Sequence, residues 1–317
     1  MTAKENLLRT IRRQEPEWVP YRYDGSLTLL HPPVSVRPPE GGVDDWGVRW
    51  IQTTVTEGSY IDGKPAILPS EIEGFRPPQT DWEQVTASLA AQVEERRGQD
   101  TLLIAYDEMV LFDRAQALLS TEEFLVAVAS CPQKVELLLE RIGAYQKLLT
   151  RAIMRSGVAG IRFTDDWGIQ TSLFIPPELW RRLIKPRLKE LYAIVKECGG
   201  LVFQHSCGHI SEIVPDLIEL GLDVLDPCQP AANDIFRWKR DYGERLSFMG
   251  GLDTQGYLSF ALPAEVRREV AKVLAVMARG GGYIAAPSHT IHIPEENRRA
   301  MSEAIAEYNA RQASGAG

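Results

Sequence analysis

The sequence predicts an α/β protein: a (β/α)8 TIM barrel carrying an irregular N-terminal segment. Three observations predict it. From Asp100 onward, short apolar runs alternate with helical stretches, the pattern of parallel strands joined by right-handed crossovers. Six such runs, with one or two more in the first hundred residues, give seven or eight strands, which suits a closed barrel better than an open sheet. No Gly-rich phosphate fingerprint follows the first regular run, which argues against a dinucleotide fold. A length of 317 residues fits one such barrel, read here as residues 1–317.

The elements follow in order. Residues 1–99 are the irregular part. Thr2 to Arg13 reads as a helix with Leu7, Leu8 and Ile11 on one face, and Trp18 to Tyr23 as a strand. The Pro/Gly-rich stretch from His31 to Gly42 must be loop. Asp45–Trp50 and Thr53–Thr56 resemble a hairpin with exposed aromatics, and Trp82–Arg97 a helix that Gly98 stops. Residues 100–312 hold the regular units. Their strands are Leu102–Tyr106, Gly160–Phe163, Leu201–Gln204, Leu222–Leu225, Leu246–Met249 and Tyr283–Ala286. Helices are expected near 121–130, 132–156, 176–198, 211–220, 232–241, 263–279 and 294–312, with a frayed tail Ala313–Gly317.

Composition narrows the function classes. Apolar residues make up 44% and charged residues 25%, ordinary for a globular chain. A net charge of −8 argues against general nucleic-acid binding. No apolar signal core or membrane-length run is visible, so a cytoplasmic protein is expected, with no membrane partner. The four cysteines, Cys131, Cys198, Cys207 and Cys228, show no pairing pattern of a secreted scaffold.

In a barrel of this kind the chemistry sits at the C-terminal ends of the strands. The sharpest feature there is His205-Ser206-Cys207-Gly208. Extended residues two apart face the same way, so imidazole and thiol project together and offer half of a zinc tetrahedron. The plainer alternative is a core cysteine beside a hydrogen-bonded histidine. Cys228, at the end of the next strand, is either a third ligand or a small apolar filler. Glu108 is a weaker ligand candidate, and His289 is either a ligand or a substrate hydrogen-bond donor. Asp165 and Asp166 share a strand end; only one can enter the mouth as acid, base or ligand-orienting group, which one is left open, and the plainer alternative is a helix N-cap or a salt bridge. Asp253, Trp46 and Trp167 are candidates for substrate binding, with Trp50 beside them as a pocket aromatic. Cys131 and Cys198 are read as inert.

Taken together, Asp45-Trp46-Gly47-Val48, Thr164-Asp165-Asp166-Trp167-Gly168, Phe174–Trp180, His205-Ser206-Cys207-Gly208, Gly250–Thr254 and Ala286-Pro287-Ser288-His289 resemble the uroporphyrinogen decarboxylase superfamily. The resemblance is best from about Asp100 to Met301. It implies a (β/α)8 barrel with one of two chemistries: cofactor-free decarboxylation of a porphyrinogen, or corrinoid-dependent methyl transfer with zinc. The decarboxylase branch carries an arginine-rich run near its N-terminus, where Val19–Gly25 here offers only Arg22. This favours the methyltransferase branch, with zinc on His205 and Cys207 and cobalamin carried by a small corrinoid-binding partner protein. The zinc-thiol enzymes resembled take a third ligand, a cysteine, near the last strand. Gly281–Ala286 offers none, so Cys228 or His289 would replace it. The expected substrate is a small methyl donor, such as an aryl methyl ether, or a thiol acceptor; a homodimer is compatible with the sequence. The alternatives are a porphyrinogen decarboxylase and a non-catalytic ligand-binding barrel.

Overall fold

The computed structural model describes residues 1–34, 37–52, 59–289 and 291–315. The expected hairpin segment Thr53–Thr56 and the last two residues of the tail lie outside the described residues.

The chain opens with helix α1 (Ala3–Arg12), strand β1 (Leu27–Leu30) and the short strands β2 (Gly42–Val43), β3 (Arg49–Gln52) and β4 (Ser59–Ile61), then α2 (Trp82–Glu95). There follow β5 (Leu102–Glu108), α3 (Phe112–Leu119), α4 (Thr121–Ser130), α5 (Pro132–Arg155) and β6 (Gly160–Thr164). Next come α6 (Pro177–Leu183), α7 (Lys185–Glu197), β7 (Leu201–His205), α8 (Val214–Glu219), β8 (Val224–Asp226) and α9 (Ile235–Tyr242). The chain finishes with β9 (Ser247–Leu252), α10 (Tyr257–Phe260), α11 (Pro263–Met277), β10 (Tyr283–Pro287) and α12 (Glu295–Ala313).

Seven strands form one parallel sheet in the order β1-β5-β6-β7-β8-β9-β10. The eighth place is taken by the segment before β1. Tyr21 bridges Ala285 of β10; Arg22 N donates to Ala285 O and Ala285 N to Pro20 O. The expected strand Trp18–Tyr23 is therefore reduced to a single bridge, and the regular strand begins later, at Leu27. The cause is local. Asp24 accepts from the amides of Tyr21 and Ser26, and Gly25 has φ +86°, so a tight turn interrupts the run.

The apolar residues fill two compartments. Inside the barrel, Leu27, Ile104, Phe203, Val224, Met249 and Ile284 pack around Leu7 and Ile11 of α1, which plugs the N-terminal end. The larger core lies between the sheet and the outer helices. Among the described residues no helix is long and apolar enough to cross a membrane.

Three further expectations are corrected. The hairpin aromatics are not exposed: Trp46 and Trp50 are buried, because Asp44 turns inward. It accepts from the amides of Trp46 and Val48, the Trp50 indole and Arg114, folding the ribbon β2–β4 onto the barrel. The single helix expected at 176–198 is two, α6 and α7, broken at Ile184 just before Lys185-Pro186, where proline lacks the amide a continuous helix needs. Helix α3 was not expected. No local residue caps it; its N-terminal amides donate to Asp165, more than fifty residues away in sequence.

Candidate metal centre

Strand register builds the site. Thr164, His205 and Asp226 are direct neighbours at the C-terminal ends of β6, β7 and β8. His205 Nδ1 lies 2.6 Å from Asp226 Oδ1. Asp226 is also gripped by Arg162, with Nε 3.0 Å from Oδ2 and Nη2 2.5 Å from Oδ1. Burial by itself would push the Asp226 carboxyl up. The Arg162 charge and the hydrogen bonds from His205 and Arg162 outweigh it and hold the group well below the usual carboxylate range. An ionised Asp226 assigns the His205 proton to Nδ1 and turns the Nε2 lone pair into the mouth. The Arg162 guanidinium also lies over the Tyr106 ring, 5.3 Å from its centroid.

Beyond His205 the chain turns, and Cys207 Sγ comes to 3.4 Å from His205 Nε2. The third member is Asp166. Its Oδ1 accepts from Cys207 N at 2.8 Å and lies 3.6 Å from His205 Nε2. One ligand atom from each of Asp166, His205 and Cys207 lies within 4.8 Å of the others. Two glycines permit this approach. Gly208, with φ +78°, and Gly168 sit backbone against backbone, and a Cβ on either would collide with the other loop.

The two adjacent aspartates have separated. Asp165 is fully buried and points away from the mouth, accepting from the amides of Leu111, Phe112 and Asp113. Burial raises its pKa to about 6 against the opposing pull of those amides. Asp166 faces the mouth, where its own amide donates to Asp113 Oδ2.

The other candidates lie around or away from this cluster. Cys228 is buried, and its thiol donates to Leu225 O at 3.2 Å; a left-handed φ of +52° turns it from the mouth, so it is not in the three-residue group. Glu108 lines the mouth but pairs with Arg37 at 3.3 Å. His289 is an exposed residue on the wall of a cavity that His205 also lines; partial desolvation there lowers its pKa, with the nearby His205 adding to the effect. Asp253 accepts from Gln255 N in a turn leading to α10. Trp46 packs on Tyr145 and beneath Arg114, and Trp167 meets Trp180 edge-on in the core; neither lines a cavity at the mouth. Arg162, Asp226 and Asp113 were not singled out from sequence, although Asp226 stands at a strand end and its register beside His205 is the signal that would have found it.

Two cavities meet at His205. The larger, about 490 Å³, runs from Asp166 and Asp113 past Glu108 to Trp50 and Tyr60. The smaller, about 380 Å³, contains Arg22, His31, Asp226 and His289. The cluster's donor set, one nitrogen, one sulfur and one oxygen on fixed loops with an open side, fits a divalent metal such as zinc. Burial pushes the Cys207 thiol up, and the Asp166 charge pushes it further, so a bound cation would supply the positive charge that this pair lacks.

A family model described as uroporphyrinogen decarboxylase (URO-D) matches residues 77–308. The chain is 26% identical over 189 residues to the uroporphyrinogen decarboxylase of Pseudomonas fluorescens, covering 57% of this chain and 50% of that one. It is 25% identical over 187 residues to the Salmonella agona enzyme of the same name, again over 57% and 50%. The chain thus spans about half the length of the curated relatives it matches. A solved structure described as a methyltransferase from Methanosarcina mazei shares the fold, with a TM-score of 0.74 at 18% identity over 97% of this chain and 99% of that chain. The family match takes in the strand ends that hold Asp166, His205, Cys207 and Asp226, and the chain belongs to the uroporphyrinogen decarboxylase (URO-D) family.

Proposed function

We propose that this protein is a corrinoid-dependent methyltransferase, with zinc held by Asp166, His205 and Cys207. The observation that carries the reading is the three-donor cluster at the barrel mouth, with His205 oriented through Asp226. The fold shared with the Methanosarcina mazei methyltransferase supports it. Zinc, when bound, would act as a Lewis acid on an ether oxygen or a thiol sulfur. A small corrinoid-binding partner protein would present the cobalamin that exchanges the methyl group.

The rest is done by this chain. In demethylation of an aryl methyl ether the carbon–oxygen bond breaks, its electron pair stays on the oxygen, and that oxygen takes up a proton. The cluster stands where this charge would develop. Asp226 and Arg162 fix the imidazole so that no reorganisation accompanies the change. Trp50 and Tyr106 give the larger cavity an aromatic lining that suits a flat ring.

The names of the curated relatives favour a second reading, porphyrinogen decarboxylation. The cations at the mouth weigh against it: Arg162 is committed to Asp226 and Arg37 to Glu108, which leaves Arg22 for a polycarboxylate.

The test is metal analysis of the purified protein, followed by methyl transfer from methoxylated aromatics to reduced cobalamin. Stoichiometric zinc and methylated cobalamin are expected, both lost in His205→Ala/Cys207→Ala. Full methylation by that variant in the absence of metal would falsify the zinc assignment. Turnover of uroporphyrinogen instead would establish the second reading.

A further inference from the structure

The larger cavity has two unlike walls. Trp50 and Tyr106 form the aromatic one. Facing the same space, α3 and the residue after it present Asp113, Gln116 and Ser120. Their spacing of three and then four residues puts them in a line along one helix face.

Two of the three are already engaged. Asp113 Oδ2 accepts from Asp166 N, and Ser120 Oγ accepts from Glu123 N at the start of α4. Gln116 is half-buried on the cavity wall, and its side-chain amide makes no hydrogen bond among the described residues. A helix rises about 1.5 Å per residue, so Gln116 stands about 4.5 Å along the axis from Asp113, the residue that touches the metal cluster. A flat ring whose reacting oxygen sits at the cluster would therefore bring a neighbouring ring substituent to the Gln116 amide. An unpaired amide beside an aromatic wall discriminates strongly, because an analogue lacking the matching group leaves it desolvated and unsatisfied.

We propose that Gln116 is a specificity-determining residue. Its side-chain N–H donates to a second oxygen, hydroxyl or methoxyl, on an aromatic ring whose first oxygen carries the transferable methyl group. The substrate class is accordingly an oxygen-substituted aryl methyl ether, not a plain aryl or alkyl methyl compound. This inference rests on the methyltransferase reading for the identity of the reacting group; the recognition itself is read by binding.

The experiment measures binding of 2-methoxyphenol and methoxybenzene by calorimetry to the full chain, to Gln116→Met and to Gln116→Glu. Methionine keeps the length and volume of the side chain without its donor, so the fold is retained, and circular dichroism checks this. The unaltered protein should prefer 2-methoxyphenol by roughly tenfold or more, and Gln116→Met should reduce the preference to about twofold or less. Gln116→Glu should lose affinity for both rings by adding charge to an acidic wall. No preference in the unaltered protein, or an undiminished preference in Gln116→Met, overturns the proposal. Methyl transfer to cobalamin is followed in parallel. A Gln116-dependent preference without methyl transfer would overturn the functional reading and uphold the recognition. Methyl transfer with an unchanged preference would do the reverse.

Discussion

His205 Nδ1 and Asp226 Oδ1 are 2.6 Å apart, and this contact decides which nitrogen of His205 faces the mouth. An amide at position 226 would remove the charge that fixes the tautomer and leave Arg162 without its partner. Asp226→Asn should weaken zinc binding roughly 10- to 100-fold, as measured by competition with a chromophoric chelator. An unchanged affinity would show that the histidine is oriented by something else.

Adjacent aspartates should behave as opposites. Asp165→Asn loses a carboxylate that accepts three amides at the start of α3, and should destabilise the fold by about 1–3 kcal/mol in urea denaturation. Asp166→Asn should leave the denaturation midpoint nearly unchanged while lowering metal content. Equal stability losses for the two would contradict the division of roles.

The carboxyl of Asp107 is fully buried, with Oδ2 unpartnered. Burial, together with repulsion from Asp165 and against the attraction of Arg114, pushes it up to about 8. The folded protein thus keeps a proton that the unfolded chain releases near pH 4. Stability should fall as pH rises through that window, by up to about 1.4 kcal/mol per pH unit, and level off above about pH 8. Asp107→Asn removes this contribution to the slope. Its thermal midpoint relative to the unaltered protein should climb from about pH 5 to about pH 8. A gap that stays constant with pH would mean that Asp107 titrates normally.

Arg114 and Asp44 form a buried ion pair at 3.1 Å that holds the β2–β4 ribbon, with Trp50 on it, against the barrel. Arg114→Met strands the Asp44 charge and should cost about 3 kcal/mol or more in urea unfolding. The double change with Asp44→Asn should recover part of that loss. A double variant no more stable than the single would show that the guanidinium acts through packing on Trp46, from whose ring it lies 4.7 Å.

Much of this arrangement was legible before the structure, and for a physical reason. The barrel strands are buried on both faces, so runs such as Leu201–Gln204 announce themselves by composition alone. The His205–Cys207 pair stood out because residues two apart share a face of an extended run, although β7 ends at His205 and it is the turn after it that brings Cys207 Sγ to 3.4 Å from His205 Nε2. What could not be read depends on partners distant in sequence. The choice between Asp165 and Asp166 is made by the amides of α3, and α3 in turn owes its start to Asp165. Cys228 departs because of a left-handed backbone angle at a residue that is not glycine. The Arg162–Asp226 pair needs the register of three strands to exist at all.

Gly168 and Gly208 carry no functional group, yet they set how near Asp166 can come to Cys207. An alanine scan of this mouth would score both as if they were part of the chemistry. Variation at either position would have to be matched in the facing loop, so a library built to retune the mouth should hold these two fixed, or randomise them only as a pair.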